Sequence, residues 1–281
     1  MNGFSKKSIF VEGRDELVCE DAAYIGDTFA FVIDGAGGVD GAHVTDEVTD
    51  AKWFAEEWKS YLITALKDQQ PIDEVIRRGI PEIANKYTAF PKAEAVQDKP
   101  SAAIAVIRIN EDMLEYFVLC DAVLIVRKKD GTCEFITDSR LNILDDINFE
   151  HMKRIAAEKQ IPTKDAFEYI KPYILENRYK MNQPDGYAAL AHTVDGLDTA
   201  VQGQYSLDDV ADFVILSDGF AESFDLFPIY ASVEELIEDV AANGIPQAVE
   251  KLHREHDKDP DCNRYVRNKK CDDISVVYGA L

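Results

Sequence analysis

The chain has 281 residues, of which 46% are hydrophobic and 30% charged, a balance that excludes general disorder and suffices for a sizeable core. Asp and Glu number 53 against 30 Lys and Arg, and the net charge of -23 sets most of the surface against a nucleic-acid backbone. The five cysteines, Cys19, Cys120, Cys133, Cys262 and Cys271, are odd in number and form no CxxC pair, which argues against a disulfide framework or thiolate zinc site and suits a reducing compartment.

The opening MNGFSKKSIF lacks a long apolar run and no segment approaches the length of a membrane span, so the expected location is the cytoplasm and no membrane partner is expected. An apolar run over 22–34 reads as strand. Helical periodicity follows from about Thr45 to Lys67, with Trp53, Phe54, Trp58, Leu62 and Leu66 on one face, and a second helix runs from Pro71 toward Tyr87. Strands are predicted at 101–109, 113–119, 122–128 and 132–137, joined by turns such as Asn110-Glu111-Asp112 and Lys129-Asp130-Gly131. Helices are expected over about 148–181, a surface hairpin or flap over about 184–210, and further strands at 212–217 and 274–279. Short turns between neighbouring strands indicate antiparallel meanders, and so one domain over 1–281 built as a sheet sandwich covered by helices.

Five acidic sites fall at the edges of apolar strands: Glu20-Asp21, Asp34-Gly35, Asp121, Asp218-Gly219 and Asp272-Asp273. Each Asp-Gly alone reads as an ordinary turn, Glu20-Asp21 as a solvated loop and Asp272-Asp273 as a turn before a strand. Asp121 is harder to dismiss, because it divides the apolar runs YFVLC and AVLIV, where an unpaired buried acid would be costly. As a set the acids point to hard divalent cations, which prefer carboxylate, carbonyl and water oxygens and relieve the repulsion among converging carboxylates. Two such ions can share a hydroxide and clamp it against a phosphoryl oxygen. The glycines after Asp34 let the backbone come close enough for a carbonyl to join them.

The motifs CED at 19–21, FVIDGAGG at 31–38, SAAIAVI at 101–107, VLCDAVLIV at 118–126, VILSDGF at 214–220 and CDDISVVY at 271–278, taken in order, resemble the metal-dependent protein phosphatases of type 2C, in a divergent bacterial-type form. The resemblance implies an α+β fold, an αββα four-layer sandwich of two mainly antiparallel sheets flanked by helix pairs. It implies hydrolysis of phosphoserine and phosphothreonine on proteins with two Mn²⁺ or Mg²⁺ ions and a third, weaker one. By that resemblance Asp34 would bridge both ions, Asp218 and Asp272 would complete one, and Glu20 with the Gly35 carbonyl the other. Asp21 would act through water, and Asp121 with Asp218 would support the third ion. The expected partner is a phosphoprotein, the product of a bacterial-type Ser/Thr kinase, and the expected state is monomeric.

The chain departs from the family pattern at several positions. Where the family commonly has a phosphate-binding Arg, four residues before the Glu of its ED motif, stands Glu16, and the nearest arginine is Arg14; either a longer loop delivers Arg14 to the phosphate or that function is lost. Ala36 stands where some members carry a His as candidate general acid, Cys120 replaces a usual Gly, and the small-residue motif reads Ser101-Ala102. Other signals have plainer readings. His253 and His256, three apart on a helix, read as a solvated face; Arg264, Arg267, Lys269 and Lys270, which could attract phosphate, read more plainly as a charged surface loop beside an acidic site; and Tyr169, Tyr173 and Tyr179 as groove or sheet-packing residues. Two competing functions stand beside the leading one: a phosphatase of a small phosphorylated metabolite, and a catalytically weak module that binds phosphoproteins.

Overall fold

A computed structural model describes residues 3–14, 18–39 and 41–281, and the alternation of side chains along its strands shows how the layers are made. Strands β1 (Lys6–Glu12), β2 (Asp21–Ile25) and β3 (Phe29–Ala36) precede helices α1 (Asp50–Ala65) and α2 (Ile72–Thr88). Strands β4 (Ser101–Asn110), β5 (Met113–Leu119), β6 (Val123–Lys128) and β7 (Cys133–Ile136) follow, then α3 (Arg140–Lys159) and α4 (Phe167–Arg178). Strands β8 (Val201–Ser206) and β9 (Val210–Leu216), helices α5 (Asp218–Asp225), α6 (Val233–Asn243) and α7 (Ile245–Lys258), and strand β10 (Ile274–Ala280) complete the chain. All strand pairing is antiparallel, in two sheets ordered β1-β10-β9-β6-β7 and β2-β3-β4-β5-β8.

Because successive residues of a strand face opposite sides, a strand with both faces covered must be apolar throughout. Strand β4 is such a strand: Ala102, Ile104 and Val106 pack under α1 and α2, while Ala103, Ala105 and Ile107 face the second sheet. Phe31 and Ile33 on β3 divide from Ala30 and Val32 in the same way. On the other sheet Phe213 and Ile215 of β9 face inward, and Val214 and Leu216 face α5, α6 and α7. The result is the expected αββα sandwich.

Boundaries differ from the sequence reading where local chemistry intervenes. The run 22–34 is two strands, because the Gly26 N–H meets the Phe29 carbonyl at 2.9 Å and turns a hairpin. The first helix begins at Asp50, not near Thr45, because the Asp50 carboxylate accepts from the Val44 and Thr45 N–H groups while Thr49 caps the Lys52 N–H at 3.1 Å. The third helix starts at Arg140, eight residues before the expected helical region, and pairs with α4 over a small core of Met152, Ala156, Ala166 and Ile170. Within the expected surface flap 184–210, Tyr187 to Ala191 are buried: Leu190 bridges to Ala102, and the Asn182 amide clasps both backbone groups of Ala189. Tyr169, Tyr173 and Tyr179 stand about half exposed rather than packed on a sheet.

Candidate functional site

The expected acids come from five separated stretches of chain, and the sandwich gathers them at one end of its two sheets. Asp21 opens β2 and lies directly opposite Asp34 on β3. Asp218 is the first residue of α5, two positions beyond the end of β9, and Asp272 lies just before β10, the strand hydrogen-bonded to β9. Ser217 and Ser275 tie these two approaches together, with Ser217 N–H on the Ser275 carbonyl at 3.0 Å and Ser275 N–H on Ser217 Oγ at 2.9 Å. Asp121 occupies the turn from β5 to β6, after Cys120, whose φ of 63° falls in the left-handed region that favours glycine.

Two glycines make this closeness possible. A Cβ on Gly35 would stand 2.4 Å from the Glu20 carbonyl oxygen, and one on Gly219 would stand 2.1 Å from the Asp273 carbonyl oxygen. Gly35 thus lets the Glu20 segment press against β3, and Gly219 lets the start of α5 press against the Asp272-Asp273 turn.

A cleft of about 430 Å³ is lined by Glu20, Asp34, Gly35, Asp218, Asp272 and Asp273, with Arg14, Lys171 and Lys269 also on its walls. Asp34, Glu20, Gly35, Asp218 and Asp272 therefore share one cavity, Asp21 lies buried behind it, and Asp121 opens into adjoining cavities that also touch Asp218. Withdrawal from water, then the charges of Asp218, Asp21 and Asp121, push the Asp34 carboxyl well above the usual carboxylate range. Asp218 is raised likewise, by the same withdrawal and by Asp272 and Asp121. Burial first, then Asp272 and Asp273, push Asp21 up to about 7. Both its oxygens are sealed without a hydrogen-bond donor, although the hydroxyls of Ser217 and Ser275 stand nearby.

Arg14 reaches this cleft. Its Nη1 donates to Glu20 Oε2 at 2.7 Å and to Asp273 Oδ2 at 2.8 Å, and its backbone N–H donates to Asp273 Oδ1 at 2.6 Å. Asp273 also accepts from the Glu20 N–H at 2.9 Å, so it organises the arginine and the glutamate rather than joining Asp272 as a free acid. Glu16, the other residue of the phosphate-clamp argument, lies outside the described residues.

The structure corrects two plainer readings. Lys269, one of the four residues read as a surface loop, enters the cleft with Nζ 2.5 Å from Asp272 Oδ1. Burial would lower its pKa, yet Asp272 holds it above the usual lysine range. His256 is not on a solvated face: it is buried, with Nε2 2.7 Å from Glu222 Oε2. Only His253 of that pair is exposed, beside Glu12 at 3.2 Å.

Sequence reasoning missed Asp145, Glu222 and Asp225, which join Asp121 and Asp218 around the adjoining acidic cavity. Burial and Asp121 push Asp145 up to about 7, and burial and Glu222 push Asp225 to about 6. Glu222 had a visible signal, four residues after Asp218 and so on the same helical face. The Asp145-Asp146 pair had none, since it reads as solvated helix surface. Lys269 was signalled by its basic patch just before the final strand, where the reading as a surface loop was preferred to phosphate attraction.

An oxygen-only donor set, mutual crowding of carboxylates, and the orphaned oxygens of Asp21 all fit a hard divalent cation with its water shell. Among the described residues no three acidic, histidine or cysteine side chains stand in a ready coordination geometry. Glu20 and Asp272 are instead drawn to Arg14 and Lys269.

Residues 13–254 match the family model described as protein phosphatase 2C. No curated sequence matches the chain. Among solved structures it is similar to the serine/threonine phosphatase PstP/Ppp of Mycobacterium tuberculosis, at 16% identity and a TM-score of 0.58, over 98% of each chain. It is similar at 16% identity and a TM-score of 0.55 to the serine/threonine phosphatase Stp1 of Staphylococcus aureus, covering 100% of this chain and 97% of that one. The catalytic domain of PstP in complex with two manganese ions matches at 16% identity and a TM-score of 0.55, over 98% of this chain and 97% of that chain.

Proposed function

Because the chain belongs to the protein phosphatase 2C family, we propose that it hydrolyses phosphoserine and phosphothreonine monoesters on proteins, using two Mn²⁺ or Mg²⁺ ions. The observation that carries this reading is the convergence of Glu20, Asp34, Asp218 and Asp272 on one cleft. Asp34 would be shared between the ions, Glu20 and the Gly35 carbonyl would complete one, and Asp218 and Asp272 the other. Asp21 would hold water at the edge of the site, and Asp121 with Asp218 would serve a third, weaker ion. When bound, such ions supply a water nucleophile at neutral pH and positive charge against the phosphoryl oxygens.

The chain's own part is to hold and orient. Asp34 sits within a strand paired on both sides, with Asp21 opposite it on β2 and Ala103 on β4, so its carboxylate is aimed by the sheet and not by a loop. Arg14, anchored by Glu20 and Asp273 on the cleft wall, would meet the phosphate dianion with charge-assisted hydrogen bonds. As the water oxygen bonds to phosphorus and the ester P–O bond breaks, the seryl or threonyl oxygen must gain a proton. Ala36 offers none, and water held at the site would supply it. The substrate is a phosphoprotein made by a bacterial-type Ser/Thr kinase, and the enzyme acts as a cytoplasmic monomer. Among the described residues no helix is long and apolar enough to cross a membrane.

The test is hydrolysis of p-nitrophenyl phosphate and a phosphothreonine peptide by the purified chain with Mn²⁺ or Mg²⁺. Turnover of both, abolished by exhaustive chelation, is expected. Activity on neither would leave a phosphoprotein-binding module, and full activity after chelation would remove the metal-dependent mechanism.

A further inference from the structure

Two cations of the chain stand inside the carboxylate cluster, and their bonding differs. Arg14 is shared between Glu20 and Asp273, so it keeps a carboxylate partner, Asp273, if Glu20 turns to another ligand. Lys269 has one carboxylate within 4 Å among the described residues, Asp272. The rest of its basic loop is tied elsewhere: Arg267 to Asp259 at 3.0 Å, Lys270 to Asp257 at 2.7 Å, and Arg264 over the Tyr265 ring. Lys171, on the same cleft, is paired with Glu168 at 2.8 Å.

An Asp272 oxygen that accepts this ammonium is an oxygen withheld from a divalent ion. A divalent ion there would repel the ammonium directly, and its double charge would outcompete the single charge of the ammonium for the carboxylate. Lys269 is then left on a flexible four-carbon stem, 41% exposed, in a cleft whose other charges are mostly acidic. A phosphate dianion entering that cleft meets Arg14 on one wall, and the released ammonium is a second positive partner, one no longer held by a carboxylate.

We propose that Lys269 is a displaceable counter-ion of Asp272, which competes with the divalent cation for that carboxylate and, once displaced, pairs with the phosphate of the substrate. The inference rests on the phosphatase reading for its substrate, but not for its two binding predictions. It makes Lys269 a substrate-positioning group that opposes metal loading, two effects with opposite signs in one residue.

The experiment compares wild type with Lys269→Met and Lys269→Arg. Calorimetry with Mn²⁺ alone should show Lys269→Met binding the ion about threefold or more tighter, the worth of a partly exposed ion pair. Calorimetry with inorganic phosphate on the manganese-loaded proteins should show Lys269→Met roughly tenfold weaker, with Lys269→Arg close to wild type. For a phosphothreonine peptide, KM should rise by the same factor with little change in kcat, because the pairing is made in ground and transition states alike. Weaker Mn²⁺ binding by Lys269→Met, or phosphate binding equal to wild type, overturns the proposal. A wild-type protein that turns over no phosphopeptide defeats the proposed function instead, while the two calorimetric comparisons still decide the role of Lys269.

Discussion

Gly35→Ala adds one methyl group at the point where β3 presses against the Glu20 segment. The new Cβ would stand 2.4 Å from the Glu20 carbonyl oxygen and 3.0 Å from that of Ala51, so it falls about 1 Å short of ordinary van der Waals contact with backbone on one side and a few tenths of an ångström short on the other. Backbone cannot rotate away as a side chain can, so β3 must part from the Glu20 segment, from the first turn of α1, or from both. Overpacking of this kind costs about 1–3 kcal/mol. For a chain of this size that lowers Tm by roughly 2–10 °C. The larger effect falls on chemistry, since the retreat separates Asp34 from Glu20, and a displacement of about 1 Å among catalytic groups costs on the order of 100-fold in rate. Gly37→Ala is the comparison: its Cβ would meet Ala51 Cβ at 3.7 Å and Glu20 Oε1 at 3.8 Å, which are ordinary contacts, so its Tm should stay close to wild type. Thermal unfolding followed by circular dichroism, with steady-state hydrolysis of p-nitrophenyl phosphate at saturating Mn²⁺, reads both effects. A Gly35→Ala protein with the melting point and kcat of wild type would show that the close approach at Gly35 does not position the site.

Asp34→Asn should lower turnover by orders of magnitude even at saturating metal and weaken both principal ions, whereas Asp121→Asn should retain two tight ions and raise the Mn²⁺ requirement; calorimetric metal counting with steady-state assays separates them, and normal turnover by Asp34→Asn would refute the bridging assignment. The Glu222 and Cys271 side chains raise His256 from the usual 6.5 to about 9 despite its burial. A histidine raised in the fold adds stability that is complete below about pH 6.5 and lost as pH climbs through about 9. His256→Gln should therefore melt roughly 5–10 °C below wild type at pH 6, with the gap closing above pH 9, and a gap independent of pH would mean that His256 contributes packing and not charge.

Strands β4, β5 and β6 were legible because a strand covered on both faces, or nearly so, is apolar along most of its length, and such short runs rich in β-branched and aromatic residues and bounded by turns favour strand over buried helix. The edge strands β1 (KKSIFVE) and β8 (VQGQYS) were not, since a strand paired on one side and open to solvent carries polar residues that read as loop. The acids Asp34, Asp121 and Asp218 were visible because an acid next to a long apolar run is anomalous wherever the chain goes. Asp145 gave no such sign, and Lys269 and His256 were misread, because nothing in the neighbouring residues says that a charged helix face or loop will be turned inward.

The sequence by itself determined a sheet sandwich covered by helices, the order of the motifs and the oxygen character of the candidate ligands, because burial periodicity, turn chemistry and residue type are all local properties. Only the tertiary structure decided which charges meet. Arg14 and Asp273 lie 259 residues apart, yet their pairing depends on β1 lying beside β10 and on the close approach that Gly35 and Gly219 permit. The choice of Asp272 as the partner of Lys269, and of Glu222 as the partner of His256, follows equally from which loops the two sheets bring to one end. Electrostatic pairing falls steeply with distance and with exposure to water, so it is set by positions that exist only once the layers have packed.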